Sequence, residues 1–394
     1  MSDLIMAIRK GVMVFPRDEY LRRLDAVKSE LRNRDIETLV VFSQSNITYL
    51  TGYTALSAYV PQALIISLDS DEPTFMLRRM DAGAAIHQSF IQREKIIGYP
   101  ENLVGSREVD GYDAIIEELF QTGRVKKSIG LELVRLSSAS ERKFLTKLSA
   151  TTVVDCSDLV NWIRLVKSDL EITLMREAAA ISDAAILRAY EVIRPGVREA
   201  DVAAEVAATL ARGANGKPGT NLQPMFLCSS PRTGTSHIPW SEDVLRPGSQ
   251  VNLEVGGVRH GYVSALMRTY SIGQPSDRLK QMNEAEIEAM GAALEVARPG
   301  NTCGDIAEAV TKTLAKYGLS KESRCGYPIG IDWMEPTASL KLGDSTILQP
   351  NMTFHLMLGN WVDEEFGYAL SETFRVTDSA PEVLTQTPRQ LFII

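Results

Sequence analysis

The chain has 394 residues, of which 44% are hydrophobic and 23% charged, and its formal net charge is −8 at pH 7. This composition is typical of a globular protein, and the length suggests two domains. The acidic balance argues against nucleic acid as a partner, and the longest apolar runs are too short to span a bilayer. The N-terminus does not resemble a signal peptide, so we expect a cytoplasmic protein that binds neither nucleic acid nor membranes.

The first part of the chain alternates helix and strand signals. Apolar residues at helical spacing predict helices over 18–34, 109–123 and 138–149. Short apolar runs bounded by polar residues predict buried strands over 37–43, 62–68 and 127–133. This alternation predicts a three-layer α/β domain, and it contains no glycine-rich phosphate loop.

The second part contains an internal repeat. VIRPGVREADVAAEV (192–206) and VARPGNTCGDIAEAV (296–310) both read as a helix end, Arg-Pro-Gly, a capping residue and a new helix. Capping signals and apolar spacing predict a long helix from Ser168 to Ile193, followed by helices near 199–213, 276–297 and 304–317. Strand segments lie between these helices, and a pseudo-twofold domain of this kind places a site between its halves.

Four cysteines are scattered along the chain with no Cys-x-x-Cys pair: Cys156, Cys228, Cys303 and Cys325. Such spacing does not indicate a disulfide framework in a cytoplasmic protein. We therefore expect free, buried thiols.

The two repeats, the segment YLTGY (49–53) and the hairpin VNLEVGGVRHGYVSALMRTYSIG (251–273) resemble the creatinase, prolidase and methionine aminopeptidase superfamily. The resemblance implies an α+β protein. A C-terminal pita-bread (creatinase-like) domain would cover 161–394, preceded by a smaller three-layer α/β N-terminal domain over 1–160. It also implies a homodimer in which Tyr53 and Tyr59 of each N-terminal domain reach over the neighbouring site.

Peptidases of this superfamily bind two metal ions through two Asp, one His and two Glu. The resemblance places these five ligands on Glu254, Ala265, Tyr327, Met357 and Glu372. A pair of divalent ions needs several oxygen or nitrogen donors that converge, and two carboxylates and a phenol are too few. We therefore expect a metal-free member that uses no cofactor.

The stretch SRCGYPIGIDW (323–333) is similar to the ectoine hydrolase group of the superfamily, which opens a cyclic amidine without a metal. That pattern continues in this chain through Glu335, TFHLM (353–357) and Trp361. In that group, the residue that matches Glu254 is the proposed attacker of the amidine carbon.

Three positions depart from that group's pattern. Leu56 stands where the group has Trp, Pro61 where it has His, and Ala369 where it has Glu. Positions of this kind shape a pocket, so the sequence leaves the exact substrate open.

Glu254 and His237 are the predicted catalytic pair. Glu254 lies in an apolar strand, where a buried charge is costly unless it is paired. The alternative is a structural ion pair with Arg259 or Arg268. His237 resembles the His base of creatinase, and an imidazole side chain suits proton transfer near neutral pH. A lone His in a loop is otherwise an ordinary surface or core residue.

Glu372 is the third predicted catalytic residue. It alternates with Leu370 and Phe374 along a predicted strand, so the three side chains share one face. A carboxylate on an apolar face suggests a pocket in which Glu372 anchors the cationic part of a substrate or pairs with His237 or Glu254.

Further residues are predicted to bind the substrate. The phenol of Tyr327 can donate to a substrate anion or stabilise developing charge, and its alternative is a packed aromatic residue. Aromatic side chains can wall in a flat cation, although most such residues belong to the core. The full predicted set is Tyr262, His260, Tyr327, Asp332, Trp333, Glu335 and Trp361.

These observations favour a metal-independent hydrolase of a C–N bond in a small cyclic amidine or amide. Three alternatives remain open: an Xaa-Pro metallopeptidase, a creatinase-like amidinohydrolase and an inactive homologue that only binds ligands. Creatine fits poorly, because the two glutamates with which creatinase holds a guanidinium fall on Met267 and Met357. The thioethers of two methionines cannot replace the charge-assisted hydrogen bonds that a guanidinium makes with carboxylates.

Overall fold

The computed structural model describes residues 9–57, 59–106, 108–362 and 365–394. Residues 1–8, part of the stretch inspected for a signal peptide, lie outside that range, and so does Ala58 in the segment TGYTALSAYV. The chain divides into two compact units, Met1–Arg164 and Leu165–Ile394. Among the described helices, none combines the length and the apolar character that a membrane span requires.

The first unit is a mixed sheet with helices. Its α-helices, α1 to α6, are Arg17–Asn33, Gln44–Thr51, Ala82–Gln88, Gly111–Gln121, Ser138–Lys147 and Leu159–Arg164. Its strands, β1 to β6, are Thr38–Val41, Ala63–Ser67, Thr74–Arg78, Ile96–Tyr99, Ser128–Leu131 and Thr152–Asp155. The strands form one sheet in the order β4-β3-β2-β1-β5-β6.

Every helix and strand predicted for this unit is present, with ends that differ by at most two residues. The sequence analysis missed the helices α2, α3 and α6 and the strands β3, β4 and β6, which are short. Tyr53 was expected to reach over a neighbouring site, and this expectation is wrong. Its ring is buried within the first unit, edge-on to Phe75 at 5.0 Å between centroids, whereas Tyr59 is exposed.

The second unit pairs long helices with antiparallel sheets. Its α-helices, α7 to α10, are Asp169–Val192, Glu199–Arg212, Asp277–Val296 and Cys303–Lys316. Its strands, β7 to β16, are Phe226–Ser229, Gln250–Arg259, Tyr262–Ser271, Gly326–Pro328, Thr353–Met357, Asn360–Val362, Phe366–Tyr368, Ser371–Arg375, Glu382–Val383 and Phe392–Ile393. The larger sheets have the orders β16-β9-β8-β7 and β10-β11-β14-β15.

The internal repeat is confirmed by the helix pairs. In each copy the first helix ends just before Arg-Pro-Gly, and the glycine has a left-handed backbone, with φ of 90° at Gly196 and 92° at Gly300. An L side chain is strained in that conformation. The helices α7 and α8 cover the first of these sheets, whereas α9 and α10 cover the second, each with its own buried apolar cluster.

Two strand pairs position the site. In the β8–β9 hairpin, Glu254 lies opposite Met267 and Gly256 opposite Ala265. In the β11–β14 pair, Met357 lies opposite Ser371. Directly opposite residues project to the same face of an antiparallel pair, so this register decides which side chains meet.

Candidate active site

The second unit contains a cavity of about 190 Å³ beside the β8–β9 hairpin. Its lining is largely apolar and includes one carboxylate and one imidazole. The lining residues are Phe226, Cys228, Thr235, Ser236, His237, Ile238, Asn252, Leu253, Glu254, Met267, Ser323, Met357, Trp361 and Ala369. Ala369, one of the three departures from the ectoine hydrolase pattern, therefore lies at the site.

A second cavity of about 500 Å³ shares five of these lining residues, among them His237 and Glu254. It adds Arg324, Tyr327 and Trp333 to the lining. Glu254 is the one carboxylate among the described residues that line either space. The two cavities thus meet at the predicted catalytic pair.

The Glu254 carboxylate is 5% exposed, and burial raises its pKa from 4.5 to about 7. The alternative of a structural ion pair does not hold, because both candidate arginines pair elsewhere. Arg259 donates to Glu177 at 2.9 Å, and Arg268 donates to Glu372 at 2.8 Å. Desolvation acts on Glu254 without a compensating cation in the described part of the chain.

His237 lies in the loop between β7 and β8, where its backbone has a positive φ of 57°. Such a conformation is uncommon outside glycine. The imidazole ring contacts Phe226 edge-on, with 5.3 Å between ring centroids. Phe226 lies opposite Glu254 in the β7–β8 register, and all three residues line the larger cavity.

Glu372 does not reach the cavities, and the predicted placement of this residue is wrong. Its carboxylate is 1% exposed, accepts from Arg268 at 2.8 Å and from Arg389 at 3.0 Å, and also accepts from the Thr385 hydroxyl. It lies opposite Leu356, on the other face of the sheet from Met357 and Ser371. The buried Arg268 and the partly exposed Arg389 hold it as a structural residue.

The register also bears on the ligands that the superfamily uses for metal. A fifth ligand must share a face with position 357, and the residue that does so is Ser371, not Glu372. The converging set is then Glu254, Ala265, Tyr327, Met357 and Ser371. Within the described ranges, no group of three or more His, Cys, Asp or Glu side chains is placed to hold a metal ion. One carboxylate with a phenol and an alcohol does not fit a pair of divalent ions.

Tyr327, Trp333 and Trp361 line the cavities as expected of substrate-binding residues. The Trp333 Nε1–H donates to the Tyr327 hydroxyl at 3.0 Å. Burial raises the pKa of Tyr327 to about 12, and the nearby Glu254 carboxylate contributes in the same direction. Tyr327 therefore keeps its proton across the physiological range.

The other predicted binding residues lie outside the described lining of the two cavities. The Tyr262 hydroxyl donates to Glu171 at 2.9 Å, and the buried Glu335 carboxylate accepts from Lys167 at 2.6 Å. His260 and Gly261 form the two-residue turn of the β8–β9 hairpin, with φ of 48° and 91°. The backbone carbonyl of Asp332 accepts from Gly330. These contacts support the hairpin and the neighbouring loop.

Three polar residues near the cavities were not singled out by the sequence analysis. Arg324 lines the larger cavity with its guanidinium carbon 4.5 Å from the Tyr327 ring centroid. In the described chain, no carboxylate lies within ion-pair distance of it. His355 and Ser371 are buried behind Tyr327 and are hydrogen-bonded to each other at 2.7 Å. A basic residue inside the SRCGYPIG stretch was the available signal for Arg324.

Comparison with known proteins places this geometry in a family. The model for "Metallopeptidase family M24" matches residues 173–378, and the model for the "Creatinase/Prolidase N-terminal domain" matches residues 23–166. A dipeptidase PepE structure from Mycobacterium ulcerans has a TM-score of 0.82 at 24% identity and covers 96% of this chain and 99% of its own. This likeness confirms the expected fold.

Two curated relatives are similar over nearly the whole length. An uncharacterized hydrolase/peptidase, y4tL, from Sinorhizobium fredii is 61% identical over 99% of this chain and 100% of its own. The ectoine hydrolase of Halomonas elongata is 34% identical over 96% of this chain and 98% of its own. The chain therefore belongs to metallopeptidase family M24, with a creatinase/prolidase N-terminal domain, and is a hydrolase of the group that includes ectoine hydrolase.

Proposed function

We propose that the protein is a metal-independent hydrolase that cleaves a C–N bond in a small cyclic amidine or amide. The observation that carries this proposal is Glu254, a buried carboxylate without a cationic partner among the described residues, in a cavity that it shares with His237. A buried anion of this kind is complementary to a planar cation such as an amidinium. The 34% identity to an ectoine hydrolase supports the same substrate class.

The cation also explains how a carboxylate with a raised pKa acts near neutral pH. In the free protein, burial leaves Glu254 partly protonated at pH 7. An amidinium beside it favours the ionised form, so binding releases the carboxyl proton. The bound substrate thereby generates the anion that attacks it or stabilises it.

The nucleophilic form of the mechanism has two stages. A Glu254 oxygen forms a bond to the amidinium carbon, and the C–N bond to one ring nitrogen breaks as that nitrogen takes a proton from the His237 imidazolium. Neutral His237 then accepts a proton from a water molecule that adds to the same carbon. The bond to Glu254 breaks and the new hydroxyl gives its proton to the released amine, which restores the carboxylate and leaves an open-chain amide with an ammonium group. If Glu254 acts only as a stabiliser, the water activated by His237 attacks the carbon directly.

Arg324 indicates that the proposed substrate carries a second, negative charge. Its guanidinium lines the larger cavity at the Tyr327 ring, and Glu254 lines the same space. A guanidinium binds carboxylates through charge-assisted hydrogen bonds. We therefore propose a zwitterionic substrate, with a cationic ring at Glu254 and a carboxylate at Arg324, as in a tetrahydropyrimidine carboxylic acid. Glu254 thus takes the role of holding the cationic part, which the sequence analysis gave to Glu372, and Arg324 holds the anionic part.

The test is an incubation of the purified protein with ectoine, hydroxyectoine, creatine and a Gly-Pro dipeptide, followed by mass spectrometry. We expect a product 18 Da heavier than its substrate from a cyclic amidine. The Glu254→Gln variant should form none, and an acid-quenched reaction should show substrate mass attached to the peptide that contains Glu254 if the attack is nucleophilic. Turnover of amidine by Glu254→Gln at the wild-type rate would contradict the proposal.

A second candidate function is an Xaa-Pro metallopeptidase, which the family model favours by its description. Its two-metal chemistry needs donors that the converging side chains do not supply. Cleavage of Gly-Pro after addition of Mn²⁺ or Co²⁺, abolished by a chelator, would support the peptidase in place of the amidine hydrolase.

We also propose, from the resemblance to creatinase, that the protein acts as a homodimer in the cytoplasm. Light scattering coupled to size-exclusion chromatography tests the first point, since a dimer has twice the 43.5 kDa chain mass. Cell fractionation tests the second.

A further inference from the structure

A chain of buried hydrogen bonds connects the sheet to the cavity. The Met267 N–H donates to Ser371 Oγ at 2.8 Å, and Ser371 Oγ lies 2.7 Å from His355 Nε2. His355 Nδ1 lies 3.1 Å from the Tyr327 hydroxyl, which also accepts from Trp333 Nε1 at 3.0 Å. Both ends of the chain thus receive a hydrogen from a group that can only donate.

His355 is neutral within this chain of hydrogen bonds. The residue is fully buried, and burial lowers the pKa of its imidazole to about 3. A neutral imidazole carries one hydrogen, so one ring nitrogen donates and the other accepts. Only two arrangements of the chain are then possible.

In the first arrangement, Ser371 donates to Nε2 of His355, Nδ1–H donates to Tyr327, and the Tyr327 hydrogen is left to point into the cavity. In the second, Tyr327 donates to Nδ1, Nε2–H donates to Ser371, and the Ser371 hydrogen is left over. Ser371 is fully buried, and within the described structure its hydroxyl has no other acceptor. A buried donor without a partner loses its hydrogen bond to water and gains none in the protein, which disfavours the second arrangement.

The first arrangement leaves its spare hydrogen on Tyr327 rather than on a fully buried hydroxyl. Tyr327 lines a cavity that solvent or a substrate can enter, and the Glu254 carboxylate lines the same cavity. The negative charge of Glu254 favours a donor directed toward it. Both considerations select the same direction.

We infer that the chain Ser371–His355–Tyr327 runs in one direction and fixes the Tyr327 hydroxyl as a hydrogen-bond donor into the cavity, with Ser371 and His355 as positioning residues. This inference rests on the proposed function only for its use in catalysis, where the fixed donor stabilises charge that develops on the substrate. A donor that is already oriented needs no reorganisation when the charge forms.

The direct test is the tautomer of His355 in the wild-type protein, read from the chemical shifts of ¹⁵N-labelled imidazole nitrogens. The protein has four histidines, so single His87→Gln, His237→Gln and His260→Gln variants identify three of the signals and assign the remaining one to His355. We expect the hydrogen on Nδ1, with Nε2 as acceptor, unchanged from pH 5 to pH 8. A hydrogen on Nε2, or a charged ring, would overturn the inference. Neither result depends on any turnover.

Ser371→Ala provides the second readout, and Ser264→Ala is its matched control. Ser264 is equally buried, but its hydroxyl has no hydrogen-bond partner in the described structure. Ser371→Ala should alter the His355 nitrogen signals and lower kcat on an amidine about tenfold, with little change in KM. Ser264→Ala should leave both as in the wild type. An unaltered His355 spectrum in Ser371→Ala would overturn the inference even if no substrate were found.

Discussion

Glu372 Oε1 accepts a hydrogen bond from Arg268 Nη2 at 2.8 Å, and both side chains are almost entirely buried. Arg268 also donates to the backbone carbonyls of Met267, Ser371 and Thr387. This pair joins the β8–β9 hairpin to strand β14 and so holds together the two sheets that bear the cavity residues. Of the two glutamates predicted to be catalytic, one stabilises the fold and the other lies at the site.

Replacement by glutamine should therefore lower the stability of the protein at Glu372 and raise it at Glu254. Glu372→Gln leaves Arg268 buried without its anionic partner, and breaking a buried pair in this way costs about 3–5 kcal/mol. We expect a large fall in the unfolding temperature. Chemical denaturation of both glutamine variants checks this prediction.

The control is Glu288→Gln, which removes an exposed partner of Lys316. Exposed ion pairs are screened by solvent and contribute little to stability, so the control should unfold close to the wild type. A Glu372→Gln protein that is as stable as the control would contradict the structural role.

Glu254→Gln should stabilise the protein, and the gain should depend on pH. Below pH 4.5 the carboxyl group is protonated in both the folded and the unfolded protein, so its burial does not lower the free energy of unfolding. As pH rises from 4.5 to about 7, the unfolded chain ionises while the folded chain keeps its proton, and stability is lost. Above pH 7 the full penalty applies, which amounts to about 3 kcal/mol at about 1.4 kcal/mol per pH unit.

The measurement is the difference in unfolding free energy between Glu254→Gln and wild type at pH 5 and pH 8. Exposed Glu284 on α9 gives the matched control, Glu284→Gln, which replaces a carboxylate outside the lining of the two cavities. A Glu254→Gln gain that is the same at both pH values would show that the carboxylate is not held in a desolvated state.

Ligand binding should release protons between pH 6 and pH 7. A cationic ring at Glu254 lowers the raised pKa of that carboxyl group, so part of the population loses its proton on binding. Calorimetry in buffers of different ionisation enthalpy measures the protons released. The release should vanish in Glu254→Gln, and its persistence there would assign it to another group.

Arg324→Gln should lower kcat/KM about tenfold to a hundredfold for a tetrahydropyrimidine carboxylic acid. The reason is the loss of charge-assisted hydrogen bonds to the substrate carboxylate, worth about 1.5–3 kcal/mol. The same ring without its carboxylate serves as the control substrate, and the variant should process it as the wild type does. An equal fall in kcat/KM for both substrates would show that Arg324 does not bind the substrate carboxylate.

The fold was largely predictable, because helix periods and caps are local signals. The capping box of Ser168 and Glu171 begins α7 as expected, and Arg-Pro-Gly ends the first helix of each pair. Glu254 was also predictable, because a lone carboxylate in an apolar strand is costly unless the site uses it.

The surroundings of Glu372 were not predicted correctly, because strand alternation says which residues share a face but not what that face meets. Leu370 and Phe374 share it, and both belong to the apolar core cluster of the second sheet. These apolar neighbours on the same face indicated that Glu372 lies in the core rather than in a cavity. Arg324, His355 and Ser371 were missed for a related reason, since their roles arise from pairing between distant strands.

The account rests on catalysis by side chains alone, and turnover by chelator-treated protein tests it most directly. The protein should be stripped of metal, checked by elemental analysis, and assayed on a cyclic amidine before and after addition of Mn²⁺ or Co²⁺. We predict that the stripped protein turns over at its full rate and that added metal brings no gain. Activity lost on stripping and restored by the metal would contradict the account.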